Sequence, residues 1–152
     1  MQTLPYSPAI LSLSKAGFGQ GFVTLAAPPE DFGQLVAPAR LPGCSRAGLA
    51  GDVLTIWISG LGPVDPPVQD GRNSFTPEGF QLRNATTRPT VRTGNVQVPD
   101  GNILFAGPAP ELGGVFQVNL ILPAGIAAGA EVSLVVEVGG VSSRSDFTIA
   151  VE

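Results

Sequence analysis

The chain has 152 residues, of which 43% are apolar and only 13% are charged, and its formal net charge is −4. That length and apolar content fit one folded domain and exclude a disordered chain, while the acidic balance without any basic cluster argues against a nucleic-acid partner. There is no histidine and a single cysteine, Cys44, so an intrachain disulfide is excluded and no soft metal site or metal cofactor is expected.

Twenty glycines and 15 prolines are spread along the sequence, roughly twice ordinary usage. Proline-free windows are short and rich in Val, Ile, Thr and Gly, which predicts many short strands and little helix. No apolar run reaches the about 18 residues of a membrane span. The single lysine, Lys15, also disfavours an anionic membrane surface. The segment Met1 to Tyr6 lacks the basic and apolar regions of a signal peptide, so a processed chain or a piece of a longer protein is expected.

The predicted elements run as follows. Pro5 to Pro8 is an extended lead, and Ala9 to Ser14 a first strand. A glycine-rich turn, Gly17 to Gly21, joins it to a strand over Phe22 to Ala26, as a hairpin with Gly17, Gly19 and Gly21 available for positive φ. That turn lacks the GxGxxG spacing, the lysine and the helix of a phosphate loop. Ala27 to Gly51 is irregular, and Cys44 within it is expected to be a small buried apolar residue.

Val53 to Ser59 is a strand with Leu54, Ile56 and Ile58 on one face and Val53, Thr55, Trp57 and Ser59 on the other. Trp57 is expected to anchor the core, with a sugar-stacking platform as the alternative. Pro63 to Gly79 is predicted as a long loop. Its Asp65, Asp70 and Glu78 are carboxylates without EF-hand spacing, expected to be solvated rather than calcium-bound.

A short edge strand over Phe80 to Arg83 follows, then a formal glycosylation sequon at Asn84-Ala85-Thr86. Two short strands flank a tight turn at Gly94-Asn95. Strands are predicted over Asn102 to Ala106, Val115 to Pro123, Val132 to Val138 and Phe147 to Val151, with a hairpin at Gly139-Gly140. Val115 to Pro123 has one apolar face, while Gln117 and Asn119 mark its other face; Phe116 is expected in the core. The sum is an all-β, antiparallel β-sandwich of seven to nine strands, a single module over residues 1–152. Residues 1–14 form an extended N-terminal strand that pairs in its own sheet or exchanges with a neighbour.

Several runs resemble one family. Gly51 to Pro63 is similar to its glycine-bounded apolar strand ending in Gly-Leu-Gly-Pro. Leu104 to Pro110 resembles its Phe-Ala-Gly turn. Gly114 to Asn119 with Leu122 to Gly125 resembles its Gln-Val-Asn…Pro-Ala-Gly signature, and Val138 to Ser143 its closing Val-Gly-Gly-Val segment. Ser7 to Ile10 and Gly17 to Gly21 resemble its upstream part. The family is the Solibacter-type uncharacterised C-terminal domain family. The resemblance implies an immunoglobulin-like module at the C-terminal end of large secreted bacterial proteins, and it transfers no catalytic residue. Gly94-Asn95 and the Leu41 to Gly51 stretch depart from the family pattern.

Functionally, these features predict a non-enzymatic extracellular or cell-surface module for structure, adhesion or spacing, with protein partners or self-association through sheet edges. Two alternatives stand beside it: a filament subunit that polymerises by strand addition of residues 1–14, and a carbohydrate-binding or calcium-dependent module. A hydrolase would have to rest on carboxylates or on Ser12-Leu13-Ser14-Lys15, whose letters match a β-lactamase motif that opens a helix; Gly17 and Gly19 oppose a helix here. No catalytic, cofactor-binding or metal-ligating residues are therefore assigned.

Overall fold

A computed structural model describes residues 5–38, 44–69, 72, 75–76 and 79–152. Strands form where apolar residues alternate, because the pleat sends successive side chains to opposite faces. Among the described residues seven strands have four residues or more. In chain order they are β1 Val23–Ala27, β2 Val53–Ser59, β3 Thr90–Thr93, β4 Ile103–Pro108, β5 Phe116–Ile121, β6 Gly129–Val138 and β7 Phe147–Val151.

One sheet has the order β4-β5-β2-β1, extended by Leu35–Val36 and Ser45–Arg46. The other runs Val96–Gln97, β3, β6, β7 and Gly19–Gln20. Lettered A to G in chain order, β1 to β7 place A-B-E-D in the first sheet and C-F-G in the second. Val96–Gln97 is added beside C. This is the strand order of an immunoglobulin-type sandwich.

The core lies between the sheets. Val23, Leu25, Leu54, Ile56, Ile58, Val118 and Leu120 come from the first sheet. Val91, Leu134, Val136, Val138, Phe147 and Ile149 face them, and every one of these is no more than 3% exposed. β5 sits between β4 and β2 with Val118 opposite Ile56 and Leu120 opposite Leu54. Phe116 is half-buried and packs against the rim of this core opposite Ile58. The Gly139-Gly140 hairpin has positive φ at both residues, as a type I′ turn requires.

The N-terminal segment closes one end of the sandwich. Ala9 pairs with Ser59 and Ile10 with Ile58, the Ser7 N–H donates to the Gly60 carbonyl at 2.9 Å, and Ile10 is buried. The Tyr6 ring fills a slot floored by Gly62, where a Cβ would stand 2.6 Å from the ring, and walled by Gly139. Its hydroxyl hydrogen-bonds Thr87 Oγ1 at 2.7 Å.

The structure corrects several expectations. Gly19–Gln20 is not turn but strand, and it pairs in parallel with β7; Leu35–Val36 and Ser45–Arg46 are also parallel, so the sandwich is not wholly antiparallel. The hairpin survives as a Ser12–Gly21 bridge, and positive φ falls on Gly17 and Gly19 but not Gly21. The first strand shrinks to Ala9–Ile10: the Leu11 N–H still reaches the Trp57 carbonyl, but the Leu11 carbonyl and the Leu13 N–H bond across to Phe22 and Gln20. The expected edge strand over Phe80 to Arg83 is displaced to Gly79–Phe80, paired with Phe75–Thr76.

In the expected loop Pro63 to Gly79, the described residues 64–67 are tied down. Val64–Asp65 pairs with Asn84–Ala85. The buried Arg83 guanidinium donates to the Pro66 and Pro67 carbonyls and, at 2.9 Å, to Gln81 Oε1. Cys44 is exposed, not buried. Its carbonyl accepts the Leu35 N–H at 3.0 Å, so the backbone holds the sheet edge while the thiol faces out.

Candidate functional site

Alternation along β2 sends Leu54, Ile56 and Ile58 inward and Trp57 outward, so Trp57 is half-buried on the outer face and not in the core. Ile56 and Ile58 bound it in sequence but occupy the opposite face. Cross-strand pairing then builds two rows on that outer face. Trp57 stands opposite Gln117 on β5, with Gly107 of β4 opposite Gln117 in turn. One step along, Thr24 of β1, Thr55 of β2, Asn119 of β5 and Phe105 of β4 form the second row.

The indole is held in one orientation. Phe22 stacks beside it, with ring centroids 6.1 Å apart and planes at 25°. The Trp57 Nε1–H donates to Thr24 Oγ1 at 3.0 Å. Side-chain rotation is therefore opposed from two sides, and the only indole hydrogen-bonding group is already used.

Beside the ring the β4–β5 connection folds back on itself. The Ala109 N–H donates to the Val115 carbonyl at 2.8 Å. Trp57 with Ala109, Pro110, Glu111 and Leu112 lines an open hollow of about 270 Å³. Glu111 is exposed, and Leu112 is 50% exposed. At the other end of the row, Gly107 has no side chain and the Arg83 backbone fills the space a Cβ would take. Asn119 Oδ1 is buried with no hydrogen-bond partner among the described residues.

The other sequence candidates do not come together. Asp65 is exposed and lies in the Val64–Asp65 strand, while Asp70 and Glu78 lie outside the described residues. Among the described residues no group of three or more His, Cys, Asp or Glu side chains could share a metal. Lys15 is exposed in a turn. No helix among the described residues is long and apolar enough to cross a membrane. A larger groove of about 570 Å³ runs between the sheet edges past Leu13, Gln20, Leu35 and Thr148. It is flanked by Pro38 and Ser45, on either side of residues outside the description.

Sequence reasoning missed one charged cluster. Arg46 bonds Asp31 through Nε at 2.7 Å and Asp52 through both Nη atoms, and Asp52 also accepts the Leu49 N–H. The hydrogen bond to Asp52 leads in raising the Arg46 pKa, against a desolvation cost. The cluster ties Asp31, Arg46 and Asp52 together, and both carboxylates are taken up by Arg46. Arg, Asp and Asp at spacings of 15 and 6 residues give no local signal, because irregular backbone brings them together.

Compared with family models, curated proteins and solved structures, the chain matches none of them.

Proposed function

We propose that this chain is a non-enzymatic, extracellular binding module, and that its contact surface is the outer face of the β4-β5-β2-β1 sheet around Trp57. The observation that carries the reading is a large aromatic side chain partly exposed on a sheet face yet held in place by Phe22 and Thr24. Rigid aromatic anchors bring contact area at low entropy cost. Low charge and the absence of histidine favour binding over acid–base chemistry. The resemblance to C-terminal modules of secreted bacterial proteins supports the extracellular setting. It also supports a role in adhesion or spacing.

The experiment measures adhesion of fluorescently labelled protein to bacterial envelope preparations. Saturable binding that is lost in Gln117→Arg and kept in Arg92→Gln, on the outer face of the opposite sheet, supports the reading. Binding indifferent to Gln117→Arg overturns it. The filament alternative requires residues 5–10 to leave the Gly62–Gly139 slot for a neighbour's slot. It predicts light-scattering masses above the monomer that vanish when residues 1–14 are deleted.

A further inference from the structure

Resting on that reading, we infer that the hollow beside Trp57 binds a neutral saccharide by stacking one pyranose ring on the indole. The first reason is geometric. A pyranose whose hydroxyls are equatorial presents a flat C–H face, which packs on a fixed aromatic plane as any apolar surface does. The Trp57 plane is fixed by the Phe22 ring and by the hydrogen bond to Thr24 Oγ1. The hollow measures about 270 Å³. That is just under the roughly 300–1,000 Å³ of pockets that hold drug-sized ligands, which suits a single ring with the rest of the sugar chain in solvent.

The second reason is the polar chemistry at its rim. Glu111 lines the hollow, and Gln117 lies opposite Trp57 on the neighbouring strand, on the same face. An ionised carboxylate only accepts hydrogen bonds, so it suits hydroxyl donors. Charge-assisted bonds of this kind are the stronger ones. The same carboxylate repels an anionic sugar, which selects a neutral one.

A proline-rich peptide is the competing occupant of an aromatic hollow, since such segments dock on aromatic-lined grooves. It fits less well here. A peptide offers backbone carbonyls, which need donors. The indole N–H is committed to Thr24 and Glu111 donates nothing when ionised, which leaves the Gln117 amide as the one donor among these residues.

Trp57 is the sole tryptophan in the chain, so its emission reports on this one place. The test titrates the native protein with cellohexaose and, separately, with decaproline, reading tryptophan fluorescence and titration heat. The expected result is a saturable emission change with cellohexaose at millimolar or lower concentration. By calorimetry, binding weakens at least about tenfold in Trp57→Ala and about tenfold in Glu111→Gln. Trp57→Phe keeps a ring and retains weakened binding, which separates loss of stacking from loss of fold. A response to decaproline alone overturns the saccharide and leaves the binding face standing. No response to either probe also overturns it. The binding face falls with it only if envelope binding is indifferent to Gln117→Arg as well.

Discussion

Gly62→Ala and Tyr6→Ala should be strongly coupled, because they act on one slot. Gly62 has φ +87°. Placing an L side chain in that region costs roughly 1–2 kcal/mol by itself. The added Cβ would also stand 2.6 Å from the Tyr6 ring, an overpacking that typically costs about 1–3 kcal/mol. The single variant should therefore lose about 2–5 kcal/mol in all. Tyr6→Ala removes a half-buried ring and the 2.7 Å bond to Thr87. A loss of about 2–3 kcal/mol is expected, below the about 3–5 of a fully buried aromatic. With the ring gone, Gly62→Ala should cost its backbone share and a residual tight contact with the Pro5 carbonyl, 3.1 Å from the added Cβ. The double variant then falls short of the sum by about 1–3 kcal/mol. Urea melts of the four proteins, with m-values compared to confirm the same transition, measure this. Additivity within about 0.5 kcal/mol would show that the ring does not sit over Gly62.

Four further outcomes follow from the same structure. Ile56→Ala should lose about 2–5 kcal/mol in urea melts, while Trp57→Phe loses only about 1 kcal/mol for the Thr24 bond; the reverse ranking would put Trp57 in the core. Arg46→Ala strands the buried Asp52, whose partner side chain is 22% exposed, so its cost should be about 2–3 kcal/mol, short of the roughly 3–5 of a fully buried pair. Asp146 is held below the ordinary aspartate range by its hydrogen bond to Arg144. Its stabilising contribution is therefore present above the unfolded-state pKa and fades as pH falls through the folded value. An NMR titration should show the low midpoint moving back up in Arg144→Gln. Cys44 should react with a thiol reagent in the native protein as fast as in urea; protection in the native state would mean it is buried.

The sequence showed the strands well where both faces carried a clear signal. β2, β5 and β7 end within a residue or two of their expected positions, because Val53 to Ser59 and its counterparts alternate between proline and glycine breaks. Gly139-Gly140 was legible because only glycine takes two consecutive positive φ values cheaply. The direction of Trp57 was harder. Alternation divides β2 into two faces, and aromatic size favours assigning Trp57 to the interior. Three aliphatic residues fill the other face completely, and that decides the matter. Phe116 was nearer the mark, since it shares the face of Val118 and Leu120 and reaches the core at its rim. Tyr6 was invisible because its hydroxyl partner lies 81 residues away, and Arg83 and the Arg46 cluster because irregular backbone, which carries no periodic signal, brings their nearer partners together. Exposure of Cys44 was missed because the average habit of a residue type was set against one particular sheet edge.

The most direct measurement on the account is acrylamide quenching of the single tryptophan, native against unfolded. A Trp57 ring partly exposed on the outer face should be quenched in the native protein, with a constant clearly above zero and below the unfolded value. Addition of cellohexaose should lower that constant. A native constant near zero, with strongly blue-shifted emission, would place Trp57 inside the sandwich and contradict both the binding face and the saccharide site built on it.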